Sequence, residues 1–381
     1  MLITRFLGSS GVSEVEDFMP IHRSPQARRS LIRRIVAVRG EMRLRVDCQP
    51  RFDYGRGRHT VELTAEGAVF RSAGLTLALA TEVPLERHGD GVSAEMRLSA
   101  GESATFSLEE LGPGESPRAL SDEQAVELYH RTVRYWRGWL SHSRYSGRWR
   151  GMVHRSALTL KLLTYRPTGA IVAAPTTSLP EQPGGERNWD CRYTWIRDAA
   201  FSLYGLLRLG FMEEAEAFMA WLADRYRTSD GDDSGPLQIM YAIDGRADLT
   251  EERLDHLEGY RGSRPVRVGN AAADQLQLDI YGELIDSVYL FNKYGRPIYH
   301  DDWQALTRIV EWVCQHRDQP DEGIWEVRGG RKDFTFSRLM PGSRWSGRSA
   351  SHDSAGFPAI SSTGSRDATR STARSWIGAG T

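Results

Sequence analysis

The chain has 381 residues, of which 40% are hydrophobic and 26% charged, with a formal net charge of −1. That length and apolar content can fill two domain cores, and the balanced charge argues against nucleic acid or another polyanion as partner. A membrane span would need a run of about 18 apolar residues, which is absent, and three scattered cysteines (Cys48, Cys191, Cys314) fit reduced thiols in a cytoplasmic protein, not a metal cluster or disulfide framework.

Residues 1–110 read as β. Met42, Leu44, Val46 and Cys48 alternate with Glu41, Arg43, Arg45 and Asp47, the period of a half-buried strand. Leu75, Leu77 and Leu79 repeat the pattern, followed by Val92, Ala94, Met96 and Leu98, then Ala104, Phe106 and Leu108. Turn signals separate these runs at Glu66-Gly67, Ala73-Gly74, His88-Gly89-Asp90-Gly91 and Ala100-Gly101. Short strands at that spacing predict a sandwich.

Leu111-Gly112-Pro113-Gly114-Glu115-Ser116-Pro117 breaks the pattern and predicts a linker, so residues 111–147 read as linker and linker helix. Ser121 and Gln124, three apart, form a capping box opening a helix to about Ser141. Helices are predicted over 148–165, 194–209, 212–228, 272–294 and 302–317, within a helical domain covering 148–340. In the first of them Val153, Ala157, Leu160, Lys161 and Thr164 share a face. Long polar and aromatic loops at 166–192, 229–271 and 318–330 join the helices, and loops of that length in a compact domain usually carry function. The acidic turn Ser229–Gly235 lacks the alternating ligands and closing glutamate of a calcium loop and reads as a solvated turn. From Pro341 to Thr381 there is no Leu, Val, Met, Lys or Glu, and ten serines accompany Gly, Ala, Thr and Arg, so a disordered tail is expected at 341–381.

The densest chemistry lies between Glu181 and Asp198, where carboxylates, guanidiniums, Trp189, Trp195 and Tyr193 crowd together. Aromatic faces beside fixed carboxylate–guanidinium pairs suit a sugar, which offers apolar C–H faces and a rim of hydroxyls. A second cluster, Asp321-Glu322-Gly323-Ile324-Trp325-Glu326, lies downstream. No phosphate loop, zinc cluster or Ser-His-Asp arrangement stands out, and no cofactor is implied.

On these two segments the chain resembles the bacterial branch of glycoside-hydrolase family 15, the glucoamylases, glucodextranases and trehalases. The resemblance implies a partial N-terminal β-sandwich, its first strands missing, followed by an incomplete (α/α)6 toroid, of which the helices here supply about half. It implies an inverting enzyme that releases glucose from a terminal α-glucosidic bond, with trehalose favoured over an α-glucan. Glu326 corresponds to the general acid and Trp325 to its neighbouring sugar platform. Arg197 and Asp198 correspond to the clamp on the terminal glucose, Trp195 to a pocket wall, and Gln277 and Asp279 to supports at a helix start. At Cys191 the family mostly has tyrosine. Its general base, a second glutamate, has no match here, and the abrupt change at Pro341 resembles translation in a shifted frame. The 381-residue chain is therefore expected not to turn over alone; the rival reading is a non-catalytic sugar-binding protein.

Overall fold

Why the first 110 residues form a sheet is clearest in the long strand β3 (Ser30–Cys48). Its first half pairs with β2 (Gly11–Phe18) on one side and β9 (Ser103–Glu110) on the other. Its second half pairs instead with β8 (Gly91–Ser99). At the change of partner Gly40 takes φ +69°, and a Cβ there would lie 2.0 Å from the Ser10 carbonyl oxygen, so only glycine fits. The strands β1 (Leu2–Leu7), β4 (His59–Thr64), β5 (Gly67–Ser72), β6 (Leu75–Ala80) and β7 (Glu86–His88) complete the set. The order is β1-β2-β3-β9-β6-β5-β4, with β8 and β7 continuing from β3, and every pairing is antiparallel.

The sheet thereby folds over a main apolar core, with a smaller buried cluster of Val69, Ala78 and Leu111 beside it. In the main core Val92, Ala94 and Leu98 gather with Phe70, Leu79 and Phe106, and Leu44, Val46 and Cys48 pack against them. The alternation read from Met42 to Cys48 is present, with the odd-numbered charged residues exposed. The helix α1 (Asp122–Leu140) packs on β9, and its Ser121–Gln124 capping box is formed as predicted. The computed structural model describes residues 1–22, 28–228 and 236–340. The predicted turn at 229–235 and tail at 341–381 lie outside the described residues. The chain divides into two compact units, Met1–Ser141 and from His142 onward.

The second unit is helical: α2 (Arg150–Leu163), α3 (Ile196–Leu209), α4 (Met212–Thr228), α5 (Asp279–Tyr294) and α6 (His300–His316). Packing runs from α2 to α3, from α3 to α4 and α5, and from α4 to α5 and α6. In α3 the residues Ile196, Ala199, Ala200, Leu203, Leu206 and Leu207 are buried at helical spacing. Four of the five predicted starts shift, α2 to Arg150 and α6 to His300 slightly, and two for reasons the bonding shows. Thr194–Trp195 (β10) pairs with Met240–Tyr241 (β11), which holds α3 back to Ile196. The helix expected at 272–294 begins only at Asp279. Asn270 caps a short 3-10 turn at Ala271–Asp274, and the amides of Leu276 and Leu278 donate to the side chains of Glu322 and Asp321, so the intervening backbone stays out of the helix. Among the described residues no helix is long and apolar enough to cross a membrane.

Candidate active site

Three stretches meet at one point in the helical unit: the start of α3, the segment leading into α5, and the loop 321–328. Trp195 is the N-cap of α3 and has no side-chain capping bond. Its indole N–H instead donates to Glu326 Oε1 at 2.8 Å. Two residues on, Arg197 donates from Nη1 to Gln277 Oε1 at 2.8 Å and from Nη2 to Glu326 Oε1 at 3.2 Å. Asp279 Oδ2 lies 3.5 Å from the same guanidinium. Gln277 and Asp279, separated by one residue, are both 0% exposed, so they are interior partners of Arg197 and not surface polars.

Glu326 itself sits at φ +51°, a left-handed conformation that costs a non-glycine residue about 1–3 kcal/mol. Both donors bind Oε1, and Oε2 has no hydrogen-bond partner among the described residues. The carboxyl is therefore pinned through one oxygen. The side chain is 25% exposed, open enough to be reached from solvent.

Asp198 occupies the first turn of α3 beside this group. A bland reading would have it cap the helix or pair with Arg197, yet among the described residues its carboxylate makes no hydrogen bond or ion pair. Water reaches it, but protein crowds it on most sides. That desolvation holds its pKa above the ordinary aspartate range, with Arg197 pulling down and Glu326 pushing up. Burial likewise raises Asp279, against the opposing charge of Arg197. Trp325 is 75% exposed, an open ring next to the acid. Trp195, by contrast, is buried and contributes its N–H, so of the two tryptophans Trp325 offers the accessible face.

The loop 321–328 owes its shape to Gly323. It adopts φ +64°, and a Cβ would lie 2.6 Å from Phe334 Cδ2. Glu326 N–H closes a turn onto the Gly323 carbonyl at 3.1 Å. Gly323→Ala is expected to cost about 1–3 kcal/mol in urea unfolding; an unchanged midpoint would show that the turn tolerates a side chain. The guanidinium carbons of Arg328 and Arg267 lie 4.5 Å and 4.8 Å from the Trp189 ring centroid. Glu251 accepts from both arginines. Trp189 is thus engaged by protein cations. Gln275, Asp321, Glu322 and Arg328 take part in this scaffold and had no role assigned from sequence. The signal was their place in or beside the motifs: Asp321 and Glu322 open the second cluster, Gln275 lies two residues before Gln277, and Arg328 two after Glu326.

Residues 147–341 match the model for Glycosyl hydrolases family 15, and the chain belongs to that family. It is 42% identical over 319 residues to a trehalase of Mycolicibacterium smegmatis, an alignment covering 81% of this chain and 47% of that protein. A trehalase of Mycobacterium tuberculosis is 42% identical over 319 residues, covering 81% and 46% respectively. A trehalase of Thermoplasma acidophilum is 35% identical over 342 residues, covering 89% and 58%. The chain spans about half the length of the curated relatives it matches.

Proposed function

We propose that the chain carries the glucose-binding clamp and general acid of an inverting trehalose hydrolase. The observation that carries this reading is the placement of Glu326. One carboxyl oxygen is held by Trp195 and Arg197, the other has no partner among the described residues, and the carboxylate of Asp198, likewise without a partner among them, is close enough to feel its charge. Trehalose joins two glucoses through a single oxygen. Asp198 and the guanidinium of Arg197 would grip hydroxyls of the terminal glucose, with the exposed ring of Trp325 against its C–H face. Glu326 would deliver its proton from Oε2 to the bridging oxygen as the glycosidic bond breaks. Water attacking from the opposite sugar face would need a second carboxylate, about 6.5–9.5 Å from the first.

That second carboxylate belongs, on this reading, to the part of the relatives that this chain does not span. No glutamate occurs from Pro341 to Thr381. The 381-residue chain is accordingly expected to bind trehalose without hydrolysing it. In the same proposal α2–α6 form half of an (α/α)6 toroid. The exposed Met152 and Leu162 on α2 and Phe201 and Tyr204 on α3 support this, since further helices of a ring would cover them. The three cysteines are free thiols, which supports a reducing, cytoplasmic setting.

Calorimetric titration tests the reading. Trehalose should bind the chain, and more tightly than maltose or isomaltose. Asp198→Ala removes a charged hydrogen-bond acceptor and should weaken binding roughly 10- to 100-fold. Because Asp198 is raised in pKa, ionising it disfavours the folded state at neutral pH, a penalty absent below the ordinary aspartate range. The same substitution should therefore raise the melting temperature at pH 7 and lose that gain in acid. Tighter binding of maltose or isomaltose would move the substrate to an α-glucan. Binding of all three sugars unaffected by Asp198→Ala would place the sugar elsewhere.

A further inference from the structure

We propose that Asp321 and Glu322 are positioning residues that register Glu326 against Arg197 by holding the segment 275–279. This rests on Glu326 being the acid proposed above. Along that segment the bonding alternates. The amides of Leu276 and Leu278 donate to Glu322 Oε2 and Asp321 Oδ2, each at 2.9 Å. The carbonyl of Leu276 accepts from the Glu322 amide at 3.0 Å. Between and beyond those amides, the side chains of Gln277 and Asp279 point the other way, onto Arg197. Gln275 donates to the Val327 carbonyl at 3.2 Å and accepts from Gln277 at 3.2 Å.

The connections close a circuit. The acidic pair holds the backbone of 276 and 278, that backbone sets Gln277 and Asp279, and these orient Arg197. Arg197 then bonds Glu326, four residues along the chain from Glu322. Gln275 ties the loop down again just past the acid. Two groups that must act on one substrate are thus referenced to the same five residues, so neither can drift without the other. Arg331 donates to the second oxygen of Glu322 at 3.3 Å, leaving Oε2 directed at Leu276. The backbone of Asp321 is fixed by a reciprocal pair of bonds with Lys332, at 3.0 Å and 2.8 Å.

The Trp195 indole reports on this registration directly, because its N–H bonds Glu326. In the nitrogen-15 labelled 381-residue chain, Trp195→Phe identifies its indole resonance, and Glu326→Ala marks its position when the bond is lost. Glu322→Ala and Glu322→Asp, the latter too short to reach Leu276, should both move the Trp195 resonance toward that of Glu326→Ala. Glu322→Gln, which keeps the acceptor, should restore it. The other indole resonances should stay in place. If Glu322→Ala fails to fold, Glu322→Asp decides alone. A Trp195 resonance unmoved in the folded variants would overturn the positioning role. Titrating the same wild-type sample with trehalose reads the substrate separately: no response to sugar would retire the trehalose reading and leave the registration result standing.

Discussion

Replacing Arg197 with methionine is expected to lower the stability of the chain by about 3–5 kcal/mol at neutral pH, the loss typical when one partner leaves a buried ion pair. Methionine keeps most of the apolar stem, so the loss isolates the guanidinium. The charge left buried is Asp279, whose Oδ1 is without a hydrogen-bond partner among the described residues, while Gln277 and Glu326 each lose one donor. Burial already holds the Asp279 pKa above the ordinary aspartate range, and Arg197 is the main charge opposing that rise. Without it the folded-state pKa climbs further. A carboxyl raised on folding penalises the folded state above its folded pKa and exacts nothing below its unfolded pKa. The destabilisation should therefore be largest at neutral pH and shrink as the pH falls into the ordinary aspartate range. Asp279→Asn in the Arg197→Met background should recover most of the loss at pH 7. Urea midpoints at neutral and acid pH, for the single and double variants, check both parts. A loss independent of pH and not relieved by Asp279→Asn would show that Arg197 stabilises through Gln277 and packing and not through Asp279.

The same cluster marks where the sequence was readable. Glu326, Trp195, Arg197, Gln277 and Asp279 were singled out from three separate stretches, and the fold brings them within hydrogen-bond reach of one another. They could be picked out because their motifs resemble those of the family, which has an Arg-Asp pair, a Gln-x-Asp and a tryptophan-flanked glutamate at these places; that Gln277 and Asp279 are buried came only with the fold. The partners along the backbone could not. Glu322 and Asp321 act on amides of Leu276 and Leu278, and an amide leaves no trace in the residue identity of its donor. That is also why the α5 start was misplaced: the run of alanines at 271–273 has high helix propensity, and tertiary bonds to 321–322 outweigh it. In the sheet, the alternation at Met42–Cys48 was legible because charge faced solvent. The strand β2 was not, since Glu16 and Asp17 meet Arg34 and Arg33 across the ladder, and Ser13 is buried where an apolar residue would have signalled an inward face.

A leaving-group test separates the proton donor from the rest of the site. If Glu326 protonates the bridging oxygen, its value depends on how badly the departing group needs a proton. Glucose leaving from trehalose needs one, whereas fluoride leaving from α-glucosyl fluoride does not. Azide can stand in for the activated water, attacking carbon 1 from the face opposite the leaving group without donating a proton to any base. With azide and α-glucosyl fluoride the chain is expected to form β-glucosyl azide and release fluoride, a C–F bond exchanged for a C–N bond with inversion. Glu326→Gln should leave that rate within about tenfold, because no proton is delivered. On trehalose with azide the same variant should lose about 10²–10⁴-fold, the usual worth of a general acid. Fluoride release followed by electrode and glucose release by coupled assay provide the two rates, and the anomer of the azide product reports the stereochemistry. Equal losses on both substrates would mean that Glu326 holds the sugar or the fold and donates no proton. Formation of α-glucosyl azide would instead require a covalent intermediate, with a carboxylate about 5–5.5 Å away in place of the wider inverting gap. The expected pattern, loss confined to the poor leaving group, follows from an asymmetry at Glu326: among the described residues both protein donors bind Oε1 and none binds Oε2.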